Sequence, residues 1–163
     1  MMKKESVTKP EMKMIGLSVR TNNKNEMNPQ QAKISGLAGN YFIYDSAVKI
    51  PNRKNPGLTF VVYTEYASDE HGDYTYFIGE EVTSFENLPP DFKSLTIPAS
   101  RYQKLTTPSG QMPQVVIDAW QQIWKMTDKD FGGKRTYQAD FEVYGPNASD
   151  PANTSVDIYI GIK

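Results

Sequence analysis

At 163 residues the chain is long enough for one core-bearing domain, and its net charge of −1 with a pI near 5.9 offers no basic block for a phosphate backbone. Cysteine is absent, which excludes disulfides, thiolate nucleophiles and Cys-ligated metals, and no apolar run is long enough to cross a membrane. The expectations are therefore no direct nucleic acid, no membrane, no cofactor and no metal, in a cytoplasmic protein.

Residues 1–10 read as a flexible, charged leader without the apolar segment of a signal peptide. Met12 to Arg20 alternates apolar and polar around Gly16 and predicts a strand. The polar stretch Thr21 to Asn28 leads to Pro29, suited to a first helical turn. Ile34, Leu37, Ala38, Tyr41 and Phe42 then recur at three-to-four spacing and predict a helix from Pro29 to about Tyr44. Beyond the loop Pro51 to Gly57, two strands are predicted at Leu58 to Tyr66 and Tyr74 to Val82, joined by a polar hairpin loop that holds His71.

Glu86 to Asp91, rich in breakers, marks a junction. After it, Leu95 to Leu105 predicts a strand kinked at Pro98, and Pro113 opens a helix over Val115 to Met126. Tyr137 to Tyr144 and Ser155 to Ile162 predict two final strands.

The order strand–helix–strand–strand thus occurs twice, and residues recur with it. Phe60 to Asp69 and Phe141 to Asp150 are identical at six of ten positions, at an offset of 81. At nearly the same offset Ile78-Gly79 answers Ile160-Gly161, and Ile34 to Phe42 answers Val116 to Trp124. Repeat 1 spans about 12–85 and repeat 2 about 94–163, within a single domain over 11–163. Neither unit can bury its sheet alone. The expected fold class is α+β: duplicated β-α-β-β units related by a pseudo-twofold, forming antiparallel sheet with two main helices and a central ligand groove.

Period two puts Ala139, Phe141 and Val143 on one face of their strand and Asp140, Glu142 and Tyr144 on the other. In the last strand Val156, Ile158, Ile160 and Ile162 face the core, and Asp157, Tyr159 and Gly161 face away. Together these predict one apolar sheet face and an opposite face of carboxylates interleaved with tyrosines. A solvated sheet face is the simpler explanation of that pattern. The repeat points elsewhere: Glu142 corresponds to Val61, while the flanking Phe60/Phe141 and Tyr63/Tyr144 are retained. An acid in a partly buried groove needs a counter-charge or a proton. Aromatic walls around one acid suit a lipophilic cation, and equally a carboxyl general acid or base. Trp120 and Trp124 lie at i and i+4 on one helix face, where indoles most often pack as core and can also line a cleft. Tyr41 corresponds to Ile123 and is expected to bring a hydroxyl near the seam.

Several segments carry a family resemblance. They are Gly79-x-x-Val82-x-Ser-Phe-x-x-Leu-Pro89, Ile97-Pro-Ala99, Tyr102, the helix with Trp120 and Ile123-Trp124, Phe141-Glu-x-Tyr144, and Val156 to Ile162. Over about residues 12–163 the chain resembles the GyrI-like, or bacterial transcription-activator effector-binding, family, and within it the integron-cassette (Cass2-like) branch. The resemblance implies an SHS2-like duplicated fold with a ligand groove between the copies. It also implies binding of bulky aromatic cations beside a glutamate, as in multidrug-responsive regulators of this AraC-type effector-binding group. Glu142 matches that glutamate by its place in Phe-Glu-x-Tyr, with Tyr144, Trp120, Trp124, Tyr63 and Tyr41 as expected ligand-binding neighbours.

Regulators of this family carry a DNA-binding region, and no such region is recognised in this sequence. The favoured expectation is a stand-alone binding domain for an amphipathic, cationic aromatic ligand. One alternative is a GyrI-like hydrolase of strained electrophiles, using Glu142 and Tyr144. Another is a protein-interaction module, either monomer or homodimer, with its own protein partner.

Overall fold

In each half of the chain a strand, a helix and two further strands follow one another, and each half begins with one strand more. The computed structural model describes residues 2–163. Its strands are β1 (Lys3–Lys9), β2 (Met12–Asn22), β3 (Thr59–Thr64), β4 (Asp73–Val82), β5 (Lys93–Ile97), β6 (Ser100–Thr106), β7 (Arg135–Tyr144) and β8 (Asp157–Ile162). Its α-helices are α1 (Asn23–Glu26), α2 (Ile34–Ile43), α3 (Gln114–Lys125) and α4 (Asp128–Phe131). The class is α+β, as the alternation and the helical spacing predict.

All eight strands join one antiparallel sheet in the order β1-β6-β8-β7-β3-β4-β2-β5. Outward from the central β7–β3 pair the order is β8, β6, β1 on one side and β4, β2, β5 on the other. Each extra strand crosses over: β1, which precedes β2, pairs with β6, and β5, which precedes β6, pairs with β2. Gly16 and Gly79 face each other in the β2–β4 ladder, where a Cβ at either would strike the Ile78 or Ile15 carbonyl. Only glycine permits that approach.

Three expectations change. Within the expected leader 1–10, Lys3 to Lys9 are not loose, because they pair residue by residue with β6. The segment is polar because it is an edge strand, where exposed lysines discourage pairing with another chain. The kinked strand at Leu95 to Leu105 is two strands, parted at Pro98-Ala99, since proline cannot donate to a ladder. The helix expected from Pro29, which is α2, begins at Ile34; Gln31 and Ala32 close turns on the Asn28 carbonyl instead.

The paired faces also differ from the expected division. Glu142 lies opposite Ile158 and Asp140 opposite Ile160, while Phe141 lies opposite Tyr159. The carboxylates of β7 therefore share a face with the isoleucines of β8, and both sheet faces are buried. Alternation fixes the two sides of one strand; the phase between neighbours is set by register. Met14, Phe60, Val62, Phe77, Tyr102 and Phe141 fill the core on one face. On the other, α3 and α4 cover Ile158, Ile160 and Ile162, and α2 covers Ile15, Val61 and Ile78. Among the described residues no helix is long and apolar enough to cross a membrane.

Candidate functional site

Each main helix divides its residues between core and groove. In α3, Ala119 and Ile123 are buried against the sheet, while Val116, Trp120 and Trp124 line a cavity of about 380 Å³. In α2, Leu37 and Tyr41 face the core, while Ile34, Ala38 and Phe42 line a second cavity of about 790 Å³. An i, i+4, i+8 series makes one stripe along a helix, and the residue before each member lies about 100° away. The cavities share Glu26 and Ile34, so they are two lobes of one groove. The groove runs between the helices and above the central strands.

Glu142 sits beneath the junction, 1% exposed. Tyr63, from the wall of the first lobe, donates to its Oε2 at 2.9 Å, and the Trp120 indole Nε1 donates to the same oxygen at 2.6 Å. Tyr144, from the wall of the second lobe, donates to Oε1 at 2.5 Å. Burial pushes the Glu142 carboxyl above its ordinary 4.5, and the three donors hold it down only in part. Burial and the neighbouring Glu142 charge raise the Tyr63 and Tyr144 hydroxyls well above 10, so both remain protonated donors. Around them Tyr63 meets Trp120, Tyr74 and Tyr76 edge to face, with ring centroids 5.0, 5.6 and 5.6 Å away.

A second buried acid stands one step along β7. Asp140 is fully buried and accepts from Tyr66 at 2.6 Å, Arg135 at 2.7 Å and the Gly161 amide at 2.8 Å. Its partner Arg135 arrives through an irregular stretch: Arg135 opposes Ile162 and Asp140 opposes Ile160, so the chain bulges between them, with Tyr137 at φ 51°. Arg135, Tyr66 and Glu70 all line the first lobe, and Glu70 accepts from Tyr137 at 2.6 Å. Glu26 adds an acid to both lobes while its carboxylate accepts from the Lys33 and Ile34 amides at the start of α2.

Trp120, Trp124 and Tyr63 thus line the first lobe, Tyr144 the second, and Glu142 lies beneath both. Tyr41 does not join them: it is 1% exposed in the core under α2 and lines neither lobe. Its equivalence to Ile123 explains the placement, since both occupy the core stripe of their helices. The Tyr41 hydroxyl is buried without a partner among the described residues, as is Oε1 of Glu80. Asp157 lies on the opposite face from Glu142, accepting from Thr106 at 2.7 Å. Pattern reasoning misses Glu26, Tyr66, Glu70 and Arg135. The first three lie in or beside turns, and the bulge separates Arg135 from the period of its strand.

Over residues 5–162 the chain matches the Cass2 family, described as integron-associated effector binding protein. It is 29% identical, over 148 residues and 91% of its length, to a Bacillus subtilis (strain 168) protein named YobU and described as a candidate transcriptional regulator, of which it covers 90%. An integron cassette protein of Vibrio cholerae, VCH_CASS2, superimposes with a TM-score of 0.77 at 28% identity, over 98% of this chain and 95% of that one. SAV2435, solved bound to tetraphenylphosphonium, shares the fold at a TM-score of 0.76 and 14% identity, over 99% and 94% of the two chains.

Proposed function

Because the chain belongs to the Cass2 integron-associated effector-binding family, we propose that its groove binds an amphipathic aromatic cation. The observation that carries this reading is the buried Glu142 carboxylate beneath an aromatic wall. Tyr63, Tyr74, Trp120 and Trp124 supply ring surface to the first lobe, and Glu26 and Glu70 add negative charge there. Among the described residues, the one cation in that wall, Arg135, is already paired with Asp140. A cation about 5 Å from Glu142 would gain roughly 3 kcal/mol at an effective dielectric of about 20, before desolvation, with ring faces adding to it.

The same geometry favours binding over turnover. Three protein donors already hold Glu142, two on Oε2 and one on Oε1, and at 1% exposure the carboxylate has little access to a water it could activate. The role that fits is an effector-binding domain of the cytoplasm, built from two copies of one β-α-β-β unit. Isothermal titration calorimetry with tetraphenylphosphonium and a panel of cationic dyes tests it. Saturable binding, weakened by Glu142→Gln, is expected; heats of dilution alone for every cation would exclude the reading.

A further inference from the structure

From the unequal lobes of the groove we infer that the second lobe is a distinct subsite for an uncharged, apolar arm of the ligand, and that Ala38 sets how large an arm it admits. On the cation reading of this groove, on which the inference depends, the cationic head occupies the first lobe and the arm reaches into the second. The two lobes are walled by corresponding residues. Val116, Trp120 and Trp124 of α3 line the first; Ile34, Ala38 and Phe42 of α2 line the second, and an offset of 82 relates the two sets in that order. Tyr63 of the first wall corresponds likewise to Tyr144 of the second, at the offset of 81.

Size and charge separate them. An indole lines the first lobe where only a methyl group lines the second, and their volumes are about 380 and 790 Å³. Glu70 and Arg135 line the first lobe alone. Among the described residues Glu26 is the one charged side chain on the second lobe. Its carboxylate already accepts from the Thr21 hydroxyl and from the Lys33 and Ile34 amides.

A second charge brought into that lobe would lose water and find no unengaged partner. Apolar surface gains there instead, against Phe42, Val61, Ile78 and the Tyr76 ring. One molecule can occupy both lobes, because Glu26 and Ile34 border each and Tyr144 ties the second wall to Glu142. Tyr63 lies opposite Asp140, and Tyr144 is four residues further along β7, so the two walls are staggered by about 14 Å along the strand. An extended decyl chain on a cationic head covers that stagger. Ala38 is therefore the specificity-determining position: a larger side chain there would close the second lobe as Trp120 narrows the first.

The test uses two phosphonium ions with one head and different arms, methyltriphenylphosphonium and decyltriphenylphosphonium, below the concentration at which the longer one forms micelles. Calorimetry on the full chain should show one decyl ion bound per chain, about a hundredfold more tightly than the methyl ion, the effect of burying about three or four methylenes. In Ala38→Trp that preference should vanish, and in Ala38→Leu, a smaller change if the indole prevents folding, it should shrink. Equal affinities in the unaltered protein would overturn the inference and leave the cation reading standing, and this comparison needs no variant to fold. A full preference that survives in the folded variants would place the arm elsewhere and also overturn it. Two methyl ions bound per chain would mean that the second lobe takes a second cation, which overturns it as well. If neither ion binds, both readings fall.

Discussion

Val61 and Glu142 face each other directly across the β3–β7 ladder. They are also the residues that the offset of 81 equates, and no other pair in that ladder has this relation. One of the four positions that differ between the two sequence segments is thus the one where their strands meet at equivalent residues. Val61 is 4% exposed and Glu142 1%, so a methyl-bearing side chain and a carboxylate share one buried site at the centre of the sheet.

Glu142→Gln should keep the fold and weaken cation binding by tenfold or more, on the order of the Coulomb estimate. The amide oxygen can replace Oε2 as acceptor for Tyr63 and Trp120, and the Tyr144 hydroxyl can rotate to accept from the amide nitrogen. Thermal unfolding and calorimetry of the same sample separate the two effects. A variant that unfolds would show that the donors require a full carboxylate.

Cation affinity should rise as pH climbs from about 4.5 through the raised folded value of Glu142. Burial holds the Glu142 carboxyl above its ordinary value, so alkaline conditions ionise it and strengthen the attraction. Binding should release protons, and the pH dependence should flatten in Glu142→Gln. Stability carries the opposite sign. Glu142 and Glu80 are both raised by burial above 4.5, so the native state holds protons that the unfolded chain has released. Their joint contribution weakens stability as pH climbs from about 4.5 through their folded values. Denaturant titrations of the protein, Glu142→Gln and Glu80→Gln across that range check the slope.

Trp120→Phe should cost about 1.5–3 kcal/mol, because it removes a charge-assisted donor at 2.6 Å and leaves Tyr63 alone on Oε2 of Glu142. Fluorescence provides an independent readout. The remaining Trp124 is 37% exposed, so emission should move to longer wavelength, whereas Trp124→Phe should move it to shorter. Unchanged spectra in both variants would contradict the different environments of the two indoles.

Tyr41→Phe should be neutral or stabilising and should leave cation affinity unaltered. Its hydroxyl is buried with no partner among the described residues, so removal relieves an unmet hydrogen bond without opening a cavity of any size. Urea unfolding and a tetraphenylphosphonium titration measure the two halves of this expectation. Weaker cation binding would return Tyr41 to the groove.

The chain by itself determined the alternation of its strands, the two amphipathic helix stripes and the recurrence of one segment at an offset of 81. These follow from local periodicity and composition, and they carried the α+β class and singled out Glu142, Trp120, Trp124, Tyr63 and Tyr144. Tertiary structure alone decided which faces coincide. Register placed Glu142 beside Ile158 and opposite Val61, and a bulge carried Arg135 back to Asp140. A rotation of about 100° between adjacent helix positions sent Tyr41 to the core and Phe42 to the groove. The edge strand Lys3–Lys9 escaped notice for a related reason: its pairing partner lies about 100 residues away, and no local pattern of polar residues records it.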